Sequence, residues 1–155
     1  MSTNAFAALG VPMRLAEVLA GHDIVTPTPI QQVTLPDSLA GRDVLGRGRT
    51  GSGKTYAFLL PVLARLGAPD AARRPMRTAG APRALVLVPT RELAVQIEAA
   101  AAPLAAALGL RTLTVFGGVG QGPQASRLRA GVDLRAVGVR SRVRARCVAS
   151  RVSSR

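Results

Sequence analysis

A chain of 155 residues, 48% apolar but only 3% aromatic, is long enough for one folded domain and must fill its core with aliphatic side chains. Its 21 basic residues against 8 acids give a net charge of +13, which points to a polyanionic partner. The single cysteine, Cys147, excludes an intrachain disulfide or a cysteine-built metal site and suits a reducing cytoplasm. The start of the chain lacks the basic and long apolar regions of a signal peptide. The apolar runs near Phe58 and Ala99 are short and broken by Pro61 and Pro103, so neither reads as a membrane span.

Phe6 to Leu9 is a short apolar entry segment. Pro12 suits a helix start, and Leu15, Val18 and Leu19 recur at helical spacing across Met13 to Ala20. Gly21 stands where a C′ glycine belongs. In Thr26-Pro27-Thr28-Pro29-Ile30-Gln31-Gln32, Thr28 is a good N-cap and Pro29 a good first helical residue. Ile30, Val33 and Leu35 are the inward positions of that helix. Pro36 is expected to interrupt it, and Gly41 ends the segment. Asp43-Val44-Leu45 reads as a short strand.

The stretch Gly48-Arg49-Thr50-Gly51-Ser52-Gly53-Lys54-Thr55 fits G-x-x-x-x-G-K-[ST], the phosphate-binding P-loop. Its glycines allow a tight turn whose N–H groups point at an anion. Lys54 is placed to reach the β- and γ-phosphates, and the Thr55 hydroxyl to hold Mg²⁺. The following Tyr56-Ala57-Phe58-Leu59-Leu60 opens an apolar helix reaching about Leu66, so the phosphates sit at a helix N-terminus. Lys54 is the only lysine in the chain; every other basic residue is arginine.

Gly67 to Pro82 has no periodicity and reads as an exposed loop. Ala84 to Val88 is a continuous apolar run, the pattern of a strand buried on both faces of a parallel sheet. Thr90 caps a helix to about Leu108, with Leu93, Ile97 and Leu104 inward and Pro103 a candidate kink. Arg111 to Phe116 is a third strand ending at Gly117-Gly118, Gln124 to Arg129 a short helix, and Val132 opens a candidate fourth strand. Strands alternating with helices imply an α/β parallel sheet, whose ligands bind beyond the carboxyl ends of the strands. The P-loop, Pro89-Thr90-Arg91-Glu92 and Gly117-Gly118 each follow a strand and are expected on one rim.

These motifs, in this order, resemble the first RecA-like domain of the DEAD-box RNA helicases: Pro27-Thr28-Pro29-Ile30-Gln31, Gly41-Arg42-Asp43-Val44-Leu45, the P-loop, Pro89-Thr90-Arg91-Glu92-Leu93-Ala94 and Gly117-Gly118. The resemblance covers about Phe6 to Asp133. It implies an ATP-binding site built from Phe6, Thr26, Gln31, Thr50, Gly51, Ser52, Gly53, Lys54 and Thr55. Gln31 resembles the glutamine whose amide reads the adenine edge, which favours ATP over GTP. Thr26 looks like a supporting residue. Phe6 resembles the upstream aromatic that stacks on adenine, and equally reads as a core anchor. Pro89, Thr90, Arg91, Glu92, Gly117 and Gly118 resemble the elements that contact the RNA sugar-phosphate backbone, which carries no base-sequence information.

The pattern breaks after Asp133. The family continues with a Thr-Pro-Gly-Arg element and the Asp-Glu-Ala-Asp motif; here no two acids are adjacent anywhere. The acidic pair that holds Mg²⁺ and positions water is therefore absent, as is the second RecA-like domain, so no catalytic residue is retained. From Arg135 to Arg155 there are seven arginines and no acid. That composition reads as an altered reading frame or, alternatively, as a basic RNA-binding arm, and in either case as disordered.

The sequence thus predicts an incomplete P-loop NTPase (RecA-like) parallel sheet with flanking helices and a basic tail. It divides into a helical lead-in (1–41), a partial ATP-binding domain (42–133) and an Arg-rich tail (134–155). The leading reading is an ATP- and RNA-binding fragment of an ATP-dependent RNA helicase, cytoplasmic, using ATP and Mg²⁺, inactive as it stands. Alternatives are a non-catalytic basic RNA-binding module and a small P-loop kinase whose only acid and arginine candidates are Asp70 and Arg73-Arg74.

Overall fold

The computed structural model describes residues 4–68, 81–115 and 121–138. The chain opens with a short helix, α1 (Ala5–Ala8). Asn4 caps it by accepting from the amides of Phe6 and Ala7, and its own amide donates to the Ala16 carbonyl. That bond ties α1 to α2 (Met13–Ala20). Next comes α3 (Pro29–Leu39), with Pro29 in the first turn as expected. The helix does not stop at Pro36 but runs through it to Leu39. Its inward residues are Gln31, Thr34 and Leu35, whereas Val33 is 75% exposed. Pro36 removes one intrahelical donor, while the Ser38 and Thr34 hydroxyls bond back to carbonyls one turn earlier.

Helix α4 (Lys54–Gly67) follows the P-loop and packs closely on α3. Beyond it lie β1 (Ala84–Val88), α5 (Arg91–Ala107), β2 (Thr112–Val115), α6 (Gln121–Arg129) and β3 (Leu134–Gly138). The strands form one parallel sheet in the order β1-β3-β2, with Ala136 aligned to Val86 on one side and Thr114 on the other. The last strand in sequence is therefore the central one.

Alternation along each strand divides the sheet into two unlike faces. Val88, Leu134 and Ala136 are buried on the face that packs against α5. On the other face Leu85 is 54% and Leu87 48% exposed. The expectation that β1 is buried on both faces is therefore corrected: among the described residues its second face is open, and β1 is an edge strand. The expected strand at Asp43–Leu45 is also absent; residues 42–49 carry no regular secondary structure and pair with no described strand. A strand exists only where a neighbour accepts its hydrogen bonds.

The core is aliphatic, as composition required: Leu15, Leu35, Leu59, Leu60 and Leu63 share one cluster with Phe6, the one buried aromatic among the described residues, at 0% exposure. The sheet is fastened at its base by Asp133. This fully buried acid accepts from Arg83 Nη1 (3.2 Å) and the Arg111 amide (2.9 Å), while its backbone carbonyl accepts from the amides of Arg83 and Ala84. Arg83 Nη2 also donates to the Leu66 carbonyl at the end of α4. One carboxylate thus joins the starts of β1, β2 and β3 to the end of α4. The folded part extends to Gly138, past the limit drawn at Asp133; residues 139–155 lie outside the described ones.

Candidate functional site

The P-loop bends as its glycines demand. Gly51 and Gly53 have φ of 81° and 87°, the left-handed region that other residues avoid. At Gly53 crowding adds a second reason. A Cβ there would lie 2.6 Å from both Gln31 Nε2 and Thr28 Oγ1. Gly53 is the N-cap of α4, so the loop delivers its amides to the start of that helix.

Gln31 is buried, at 2% exposure, and bridges two elements. Its Oε1 accepts from the Thr28 amide (2.9 Å), which is half of a capping box, and its Nε2 donates to the Gly53 carbonyl (2.8 Å). Thr28 and Gln31 are the two ends of that box, at the N-cap and N3 positions of α3. The Pro-Thr-Pro-Ile-Gln element is therefore clamped to the P-loop by one side-chain-to-backbone bond that spans 22 positions.

Lys54 Nζ donates to the carbonyls of Gly48 (2.6 Å) and Arg49 (2.5 Å). The ammonium thus sits across the mouth of the loop, held by neutral acceptors that an anion can replace. Ser52 Oγ is buried under Gly48 with no partner among the described residues. Thr50 is exposed, Thr55 half-buried and Thr26 exposed. The donor set of helix amides, one ammonium and the Thr55 hydroxyl has the chemistry to hold a polyphosphate. No group of three His, Cys, Asp or Glu among the described residues forms a metal cage of its own.

Phe6 does not join this site. It is fully buried and belongs to the core cluster, the place expected of a core anchor.

A second group of residues lies at the carboxyl ends of β1 and β3. Pro89, Thr90, Arg91 and Glu92 are exposed. Thr90 Oγ1 accepts from the Leu93 amide (3.2 Å) and caps α5. Gly138, at the end of β3, lies so close to this turn that a Cβ would stand 3.1 Å from the Arg91 backbone and the Thr90 carbonyl. Sequence reasoning missed Gly138 because it falls after the motifs; its contact depends on β3 taking the central place in the sheet. Gly117-Gly118 lies outside the described residues, as do Asp70 and Arg73-Arg74. No described helix is long and apolar enough to cross a membrane.

Comparison with known proteins agrees with this geometry. The DEAD/DEAH box helicase family matches residues 28–147, running beyond the Asp133 limit. The ATP-dependent RNA helicase RhlB of Sodalis glossinidius is 48% identical over 120 residues, covering 77% of this chain and 28% of that protein. The probable ATP-dependent RNA helicase DDX46 of Danio rerio is 38% identical over 125 residues, 81% of this chain and 12% of the relative. Among solved structures, the RNA helicase Prp28 from Chaetomium thermophilum bound to ADP superposes with a TM-score of 0.74 at 38% identity, covering 84% of this chain and 31% of that one. The chain spans less than a third of the length of these relatives. The motif order, the parallel sheet with its flanking helices and these matches together place the chain in the DEAD/DEAH box helicase family, with a RecA-like fold.

Proposed function

We propose that this chain binds ATP with Mg²⁺ at the loop from Thr50 to Thr55 and contacts the RNA sugar-phosphate backbone through Pro89–Glu92, without hydrolysing ATP by itself. The observation that carries the reading is the Gln31–Gly53 hydrogen bond, which sets the only lysine and the helix amides beside the Pro-Thr-Pro-Ile-Gln element. In this reading Lys54 exchanges its two carbonyl acceptors for phosphate oxygens. Thr55 holds the Mg²⁺ carried by the nucleotide, which offsets phosphate charge. Gln31 offers one donor and one acceptor to the adenine edge on releasing Thr28 and Gly53, and Thr26 supports it.

The RNA contact rests on exposed polar groups at a helix N-terminus, Thr90 and Arg91 with neighbouring amides, and Gly117-Gly118 is assigned to the same strand of RNA. Such binding is sequence-nonspecific and weakens steeply with salt. Hydrolysis is not expected because phosphoryl transfer depends on acidic and arginine groups that position water and stabilise charge. The chain has no adjacent acidic pair to supply the first. The cytoplasm is the compartment this reading implies.

Titrating a fluorescent non-hydrolysable ATP analogue into the wild-type chain and Lys54→Ala tests the proposal. Loss of charge-assisted bonds to phosphate should weaken binding about 10- to 100-fold. Equal affinities would refute the phosphate assignment. A second reading, a basic RNA-binding module that never takes up nucleotide, is favoured by the missing acids. It predicts RNA binding that Lys54→Ala and added ATP leave unchanged, and no analogue binding in either protein.

A further inference from the structure

Positive charge is concentrated around the P-loop. Between residues 44 and 69 the chain carries Arg47, Arg49, Lys54 and Arg65 and no acid. Of these, the nucleotide reading uses Lys54 alone. Arg47 and Arg49 stand on either side of Gly48, and both are exposed. Neither guanidinium makes a hydrogen bond or an ion pair with another described residue. Elsewhere arginines are engaged: Arg42 pairs with Asp37, and Arg83 with Asp133. An unpaired surface arginine is ordinarily just solvated, so its position must decide whether it does more.

Position singles out Arg49. Lys54 Nζ lies 2.6 Å from the Gly48 carbonyl and 2.5 Å from the Arg49 carbonyl. These carbonyls belong to the two peptide groups that flank the Arg49 Cα, so both converge on the ammonium. The Arg49 carbonyl also accepts from the Ser52 amide at 3.2 Å, a turn that fixes residue 49 at the mouth of the loop. Lys54 makes no such bond to the Arg47 carbonyl. In a P-loop the lysine reaches the β- and γ-phosphates. The Arg49 backbone therefore stands beside the place of the terminal phosphate, at a separation that an arginine side chain spans. Gln31 meets the loop at a different point, the Gly53 carbonyl.

The chemistry suits that place. A guanidinium is a planar fork that matches two phosphate oxygens at once. P-loop enzymes use such a group on the transferred phosphate, from the same chain or from a partner. An ammonium and a guanidinium at one end of a polyphosphate favour the ligand that carries the most charge there.

We propose that Arg49 is a specificity-determining residue of the nucleotide site. Its guanidinium pairs with the terminal phosphate and makes the loop prefer a nucleoside triphosphate to a diphosphate. Arg47 contributes only to the general field. The proposal rests on the nucleotide reading, and its test separates the two.

The full chain is titrated calorimetrically with a non-hydrolysable ATP analogue and with ADP, both in Mg²⁺ buffer. Arg49→Gln should weaken the analogue about tenfold and ADP less than about threefold, so the preference for three phosphates collapses. Arg49→Lys should restore part of that preference. Arg47→Gln removes the same charge from a screened, exposed position and should change the preference by less than about twofold. Circular dichroism spectra should stay unchanged, because both side chains are exposed. A preference that Arg49→Gln leaves intact would overturn the proposal. So would an equal loss in Arg47→Gln, which would mean a diffuse field rather than a placed fork. A fall in single-stranded RNA affinity with nucleotide affinities unchanged would assign Arg49 to RNA and overturn it too. Binding that Lys54→Ala abolishes but whose phosphate preference ignores Arg49→Gln would sink this inference and leave the nucleotide site standing. Binding of neither nucleotide by the folded wild-type chain would sink both.

Discussion

The helical region around the P-loop and the three-stranded sheet are built from the same aliphatic residues, yet they are satisfied to different degrees. In the first, α3 and α4 pack together with Leu35, Leu59, Leu60 and Leu63 buried, and Gln31 ties the start of α3 to the start of α4 with one hydrogen bond, to the Gly53 carbonyl. In the second, β1 offers a bare edge, and Leu85 and Leu87 face outward. A helix meets its backbone hydrogen bonds within itself and needs only one apolar stripe covered. A strand in a parallel sheet depends on distant partners for its bonds and for both faces. The proposed nucleotide site is thus carried by the region that is locally complete.

Asp133→Ala should show the largest effect, because it removes the buried acid that joins all three strand starts and leaves the half-buried Arg83 with only the Leu66 carbonyl. Breaking such a buried pair costs about 3–5 kcal/mol. Urea unfolding should lose that much, with strand amides losing protection before those of α3 and α4. Uniform loss in both regions would show that they are one cooperative unit.

Gln31→Ala probes the other side of the comparison. It leaves the Gly53 carbonyl and the Thr28 amide without their partner, at about 1–3 kcal/mol by thermal unfolding. Protection in β1–β3 should be unaffected. Thr90→Ala removes the α5 cap and should cost about 1 kcal/mol, with RNA affinity falling in filter binding as the turn loosens. Val33→Ala should stay within about 0.5 kcal/mol, since Val33 is exposed; a larger loss would return it to the inward face expected from spacing.

These differences also explain what could be read from the amino acids. α2, the start of α3, the P-loop and the Thr90-capped α5 were legible because caps, prolines and glycines act over one turn. Asp43–Leu45 has strand composition but no described neighbour, and β1 looks doubly buried in sequence although the element that would cover its second face is not among the described residues. Whether a strand pairs is a property of the rest of the sheet, which a local pattern cannot report. Phe6 was ambiguous for a related reason: an upstream aromatic can serve a base or a core, and its complete burial is a property of the packed chain that no local pattern reports. The hub at Asp133 gave no local signal, since its partners lie 22 and 50 positions away.

The claim that this chain presents a working adenine-nucleotide site is tested most directly by isothermal titration of the full chain with non-hydrolysable ATP and GTP analogues in Mg²⁺ buffer. Saturable binding of the ATP analogue, at least tenfold tighter than the GTP analogue and with that preference lost in Gln31→Ala, is the predicted result. Equal binding of both analogues, or none of either by a chain whose helices are intact, would contradict it.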